Sequence, residues 1–127
     1  MSDDNKVILY KELSYAVIGA CFAVHTRLGC ALPEVCYNRA LSVEFTNKKI
    51  KHDIQKKFDV FYDFVQVGHF FSDIVIDNKI ILELKSNDKL TANHESQLFT
   101  YLRVSKLRVG YLVNFGLKSL QFKRLIL

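Results

Sequence analysis

The chain has 127 residues, half of them hydrophobic, with a single proline. That composition excludes a disordered or low-complexity protein and suits one domain over residues 1–127. The formal charge is +5 and the pI about 9.1, a modest basic excess that suits a polyanion such as nucleic acid without demanding one.

Residues 1–7 are acidic and polar, unlike the basic start of a signal peptide, and are expected to fray. From about Ile8 to Leu28, apolar residues recur at Leu13, Val17, Ala20, Val24 and Leu28. That spacing predicts a helix with one core-facing stripe. Gly19 inside it suggests close packing, and Gly29 is a natural stop. The longest apolar run, Tyr15 to Val24, has ten residues, too short to cross a bilayer. A second helix is predicted from about Leu32 to Lys48, with Pro33 and Glu34 in its first turn.

The period then changes. Phe58, Val60 and Tyr62 alternate with their neighbours, predicting a strand from about Gln55 to Phe64. A turn over Val65 to Gly68 leads to a second strand, Phe70 to Ile76. Asp77-Asn78 is a turn signal, and Ile80 to Lys85 is a third strand. Asn87 to Thr91 connects to a helix from Ala92 to Val104. Strands at Val109–Asn114 and Leu120–Ile126 follow, separated by Gly116. This order predicts an α/β (α+β) architecture, a mixed central sheet flanked by helices.

Cys21, Cys30 and Cys36 are odd in number and fit no zinc or iron–sulfur spacing. They read as reduced thiols serving as small hydrophobes, which places the protein in the cytoplasm. Most of the ten Phe fall where core is expected, so no aromatic stacking on bases follows from them.

The chemistry concentrates between Ser72 and Lys85. Asp73 opens one apolar strand, and Glu83 and Lys85 close the next. Burying such charges unpaired is costly. They are either a solvated strand end or a metal-dependent phosphodiesterase site. Glu83 and Lys85 leave the same strand face, roughly 7 Å apart. A two-residue loop at Asp77-Asn78 would pair Asp73 with Leu82 and put Glu83 on the other face. A three-residue loop, Asp77 to Lys79, pairs Asp73 with Glu83, so an odd-length loop or a bulge is predicted. Two carboxylates about 4 Å apart repel by roughly 4 kcal/mol at an effective dielectric near 20. A hard divalent cation, Mg²⁺ or Mn²⁺, reverses that repulsion and can activate water at a phosphodiester. Lys85 could hold the water or stabilise developing charge. Gln97 and Tyr101, four apart on the third helix, can both face this end of the sheet. His94 shares their helix face, where a surface or hydrogen-bonded histidine is the plainer reading.

Five pieces of the chain go together. They are Leu28-Gly29-Cys30-Ala31-Leu32-Pro33-Glu34-Val35-Cys36-Tyr37, Gly68-His69-Phe70-Phe71-Ser72-Asp73, Glu83-Leu84-Lys85, Gln97 to Tyr101, and Gly110-Tyr111-Leu112-Val113-Asn114-Phe115-Gly116. Over about residues 10 to 127 the chain resembles the GxxExxY-type proteins, a branch of the PD-(D/E)XK nuclease superfamily. The resemblance implies a restriction-endonuclease-like αβββαβ core. It implies Asp73, Glu83 and the Leu84 carbonyl as ligands of Mg²⁺ or Mn²⁺, with Glu34 as a further acidic group from the second helix. Lys85 would be catalytic, and Gln97 with Tyr101 would match the Gln-x-x-x-Tyr motif of RecB-like exonucleases. Ala31 stands where the naming motif has glycine, and Ser72 where the superfamily name has proline.

The leading expectation is a metal-dependent nuclease acting on DNA, or on RNA, through metal-activated water. The alternative is a non-catalytic nucleic-acid-binding or protein-interaction module on the same fold. Basic residues for phosphate contacts are Lys48, Lys49, Lys51, Lys89 and Arg103, with Lys56, Lys57, Lys106 and Arg108 as further candidates. No membrane partner is expected. A chain this short suits a homodimer or an accessory protein partner when it must grip a duplex.

Overall fold

The computed structural model describes residues 8–127. The expectation of a frayed start falls on residues 1–7, outside the described residues. Three helices and five strands follow in the order α1 (Lys11–Leu28), α2 (Glu34–Asn47), β1 (His52–Tyr62), β2 (Val65–Ile76), β3 (Ile80–Lys85), α3 (Ala92–Ser105), β4 (Val109–Asn114) and β5 (Gln121–Ile126). The strands form one sheet in the order β1-β2-β3-β4-β5. β3 and β4 are parallel, joined by the α3 crossover, and the other neighbours are antiparallel. This is the predicted mixed sheet, with helices on both faces.

Strand alternation sorts the core into two layers. Ile74, Ile76, Ile80, Leu82, Leu84, Val109, Tyr111 and Val113 pack with α1 and α2. Val75, Ile81 and Leu112 pack with Leu98 and Leu102 of α3. Central β3 is buried on both faces until it reaches Lys85. Among the described residues no helix is long and apolar enough to cross a membrane.

α1 buries Val17, Ala20, Cys21 and Val24, and it stops at Gly29, left-handed at φ 77°. Gly19 does not mark close packing: a Cβ there would meet nothing within 4 Å. Gly19→Ala is therefore expected to stabilise the fold by about 1 kcal/mol. A melting curve should show Tm rising by roughly 3–6 °C. α2 begins at Glu34, two residues later than expected, with extended Pro33 as its N-cap (φ −56°, ψ 143°). The proline ring disfavours helix in the residue before it, so Leu32 cannot join.

The first hairpin differs more. Its turn is Asp63-Phe64, both at positive φ (52° and 66°), and not Val65 to Gly68. Two such residues close a two-residue hairpin whose twist matches its strands. Gly68 instead lies within β2 opposite Val60, beside a register shift between Val60 and Phe61. An isolated glycine in a strand marks a bulge as readily as a turn. β1 and β2 pair over their full length, whereas the β2–β3 ladder covers only Ile74 to Ile76 on β2. The first half of β2 and its β1 partner thus project as a two-stranded arm. This arm corrects the expectation for the aromatics: Phe45 and Phe115 are fully buried, but Phe61, Phe64 and Phe71 are exposed. The cysteines also divide. Cys21 is buried, its thiol pushed up to about 12 by that burial, while Cys30 is exposed and so is no core hydrophobe.

Candidate active site

The predicted geometric condition is met at the β2–β3 turn. Three residues, Asp77 to Lys79, separate the paired Ile76 and Ile80, and Ile74 pairs with Leu82. By alternation Asp73 and Glu83 share the face of Val75 and Ile81. The ladder ends there, because β2 swings away from β3. Opposite, in β1, Gln55 has a left-handed φ of 51°. The faces exchange across that point. Ile74 packs with α1 and α2, whereas Phe58 and Phe70, of the same parity in their strands as Ile54 and Ile74, lie under α3.

Asp73 and Glu83 fill the fork that opens. The Leu84 N–H donates to Asp73 Oδ2 (2.8 Å), and the Asp73 N–H donates to Glu83 Oε1 (3.3 Å). Within a strand, a residue's N–H and C=O point to the same side. The Leu84 carbonyl therefore opens into the fork that its N–H faces. Glu83 is only 4% exposed. Burial, then the nearby charge of Asp73, pushes its carboxyl up to about 9.

On the α3 side, half-buried Lys85 donates from Nζ to Gln97 Oε1 (3.5 Å). Tyr101 stacks on Phe70, ring centroids 4.0 Å apart. Its hydroxyl is pushed up by burial and by the negative charges of Glu83 and Asp73. His94 is structural: its Nδ1 accepts from the Thr91 N–H (3.1 Å), and its own N–H donates to Thr91 Oγ1 (3.3 Å). This reciprocal cap opens α3.

On the α2 side lies a cleft of about 430 Å³ lined by Glu34, Asn38, Arg39, Ile54, Gln55, Asp73 and Leu84, among others. Glu34 is the first residue of α2 and is among the residues that line the cleft. One turn on, buried Asn38 donates from Nδ2 to the Asp73 carbonyl (3.2 Å), tying α2 to the fork. Tyr37 sits under the preceding loop. Its hydroxyl donates to the Gly29 carbonyl (2.8 Å) and accepts from the Leu32 N–H (3.0 Å), and its ring stacks on Phe115 at 4.3 Å. Ala31 occupies a left-handed conformation, φ 65°. That accounts for a glycine preference there, since a Cβ is disfavoured in this region. Ala31→Gly should raise stability by about 0.5–1 kcal/mol, measured by chemical denaturation, despite the more flexible unfolded chain.

A hydrogen-bonded clamp joins the two sides. Ser86 Oγ donates to the Leu32 carbonyl (2.8 Å), and the Phe115 N–H donates to the Lys85 carbonyl (2.8 Å). The Ala31 N–H donates to the Phe115 carbonyl (3.0 Å). Fully buried Asn114 accepts from the Asn87 N–H and donates to the Asn87 carbonyl, both at 3.0 Å. Gly116 must be small here, as a Cβ would lie 2.2 Å from the Asn87 carbonyl oxygen. Lys85 thus leaves a strand end held from two directions.

Among the described residues no three His, Cys, Asp or Glu side chains converge as a metal cluster. Asp73 and Glu83 do meet, and Leu84 adds a carbonyl on the same side. Three hard oxygens fit Mg²⁺ or Mn²⁺, which keep waters and substrate phosphates in their remaining positions. Glu34 shares the cleft with Asp73 but completes no such cluster.

The basic residues are not gathered here. Lys48, Lys49 and Lys51 lie around the α2–β1 connection, at the opposite end of the 14-residue α2 from Glu34, about 21 Å along its axis. Lys48 pairs with Glu44 (3.7 Å). Arg103 is exposed in the last turn of α3, away from Gln97. Lys89 is exposed in the loop between β3 and α3, four residues after Lys85. The cleft's own cation is Arg39, which the sequence reading passed over, as it did Asn38.

Comparison with known proteins bears on the whole arrangement. The crystal structure of SSO0001 superposes with a TM-score of 0.55 over 92% of this chain and 59% of that chain, at 19% identity. That likeness speaks for the fold, and this chain spans less than two thirds of that protein's length. No curated protein matches the chain. The family model described as the PD-(D/E)XK nuclease superfamily matches residues 11–125. The match runs through both sides of the cleft and the clamp between them, and the chain belongs to the PD-(D/E)XK nuclease superfamily.

Proposed function

We propose that this is a GxxExxY-type member of the superfamily and a metal-dependent nuclease that hydrolyses phosphodiester bonds of DNA or RNA. One observation carries the reading: the β2–β3 fork brings Asp73 and Glu83 together, with Lys85 two residues on and bonded to Gln97. Asp73, Glu83 and the Leu84 carbonyl would hold the cation. When bound, a divalent ion supplies Lewis acidity to a phosphoryl oxygen and lowers the pKa of water. The Lys85 ammonium, steadied by Gln97, would donate to the attacking water or to the phosphoryl oxygen that gains charge as water's oxygen bonds to phosphorus and the P–O bond to the leaving oxygen breaks. Tyr101 walls the α3 side, and Glu34 approaches from α2 across the cleft. Arg39 supplies positive charge for a substrate phosphate, and the net charge of +5 favours a polyanion in general.

The test is cleavage of labelled single- and double-stranded DNA and RNA with Mg²⁺ or Mn²⁺, wild type beside Asp73→Ala. Metal-dependent cutting lost in the variant supports the reading. No cutting of any substrate by clean protein, or equal cutting by the variant, defeats it. Binding without cleavage would instead indicate a non-catalytic nucleic-acid-binding module.

A further inference from the structure

Among the described residues β1 is an edge of the sheet, with β2 as its one neighbour. One side of its backbone is open, and open edges invite pairing unless they are protected. Its regular stretch is short and symmetric. Gln55, left-handed at φ 51°, bounds it on one side, and the register shift between Val60 and Phe61 bounds it on the other. Between them run Lys56 to Val60, centred on Phe58. Exposed apolar side chains stand beyond both bounds: Ile54, 42% exposed, on one side, and Phe61, Tyr62 and the 98%-exposed Phe64 on the other.

From Lys56 to Phe71 the arm carries two lysines and two aspartates, so it is neutral apart from His69. A neutral, aromatic arm does not suit a polyanion. It does suit itself. Lys57 and Asp59 flank Phe58 on one strand face, both exposed, and pair within the chain at 3.6 Å.

We propose that a second copy of this chain covers the arm, β1 against β1, antiparallel about a two-fold axis at Phe58. In that register Lys57 of each copy stands opposite Asp59 of the other, the self-complementarity that a two-fold interface requires. Gln55 then faces Phe61, and Ile54 faces Tyr62, so the exposed apolar groups beyond the two bounds cover each other. A register one step away would oppose Lys56 to Asp59. That register sets Lys57 opposite Phe58, whereas in the Phe58-centred register both Lys57 and Asp59 face a charge and Lys56 keeps its own partners, with Nζ 3.0 Å from Asn78 Oδ1 and 3.8 Å from Asp53. Because Ile54 and Gln55 line the cleft, the arm of each copy extends one wall of the other's cleft. The pairing rests on the edge strand and stands apart from any activity of the cleft.

Sedimentation of the full chain from micromolar to millimolar concentration tests this. A concentration-dependent dimer is expected. Lys57→Glu and Asp59→Lys each place like charges opposite one another twice per dimer, weakening it at least about tenfold. The double variant Lys57→Glu/Asp59→Lys restores wild-type dimerisation, and Lys56→Glu changes it little. Oxidation of an Ile54→Cys/Tyr62→Cys/Cys30→Ser variant gives a second, covalent readout. Residues 54 and 62 lie eight apart along one strand, roughly 26 Å, so they cannot bridge within one chain. A covalent dimer supports the register. A monomer at every concentration, a dimer indifferent to both single charge changes, a double variant no better than the singles, or no cross-link on oxidation would each overturn the proposal.

Discussion

Lys85→Ala is expected to lower metal-dependent cleavage by about two to three orders of magnitude, the usual loss when one donor to transition-state charge is removed. Substrate affinity should change much less, because a single amine adds little to ground-state binding of a polyanion. Lys85 sits at the last position of β3, half-buried, with Gln97 as its side-chain partner, so truncation opens no hole in the core. Thermal stability should therefore stay close to wild type. Single-turnover kinetics separates the two parts. A loss confined to the chemical step fits the assigned role, whereas an equal loss of binding would recast Lys85 as a phosphate contact. Gln97→Ala should give a smaller loss of the same kind, since it removes only the group that steadies the amine.

The second large effect concerns stability and pH. The Glu83 carboxyl rises from an ordinary 4.5 to about 9 in the fold, through burial and then the charge of Asp73. A folded state that holds a proton more tightly than the unfolded one loses stability as pH climbs between those two values. Its contribution is complete below pH 4.5 and is lost progressively up to about pH 9. The slope is about 1.4 kcal/mol per pH unit, on the order of 3 kcal/mol by pH 7. Glu83→Gln, which mimics the protonated acid, should flatten that slope and make the metal-free protein more stable than wild type at pH 8. Chemical denaturation at pH 5, 7 and 8 reads it directly. Parallel curves for the two proteins would mean that Glu83 is ionised in the fold. If the pair holds the cation as proposed, added Mn²⁺ should reverse the order, stabilising wild type and not the variant, because the ion would take the deprotonated pair and expel a proton.

Much of this arrangement is legible in the sequence. Hydrophobic period gave the order of elements, since long apolar stripes such as Val17, Ala20 and Val24 leave little choice. The Asp73–Glu83 meeting could be posed as a question of loop parity, and the three-residue loop answers it. What escaped notice was backbone geometry that side-chain patterns do not encode. Gln55 and Phe64 take left-handed conformations that residue type alone would not suggest. The first opposes the fork where the faces exchange, and the second moves the hairpin turn away from Gly68. With the turn moved, aromatics expected in the core lie instead on a projecting arm. Arg39 and Asn38 escaped because a polar residue on a helix carries no mark of which cleft it will line. Lys48, Lys49 and Lys51 drew attention as a run, yet helix length carries them to the far end of α2.

The fork also has a place in time. Asp73 and Glu83 are ten residues apart and meet through one tight hairpin, whereas the ties that bring α2 to them span far more chain: 35 residues for Asn38 to Asp73, and 54 for Leu32 to Ser86. Closing a loop of about ten residues takes roughly 10–100 ns, and distant contacts must wait for slower chain closure. The carboxylate pair therefore needs only a short loop closure to meet, whereas the cleft wall needs much longer ones. On the proposed assignment of Asp73 and Glu83 as ligands, divalent cations present during refolding would meet the pair before the enclosure exists, and refolding rates measured with and without Mn²⁺ would show it.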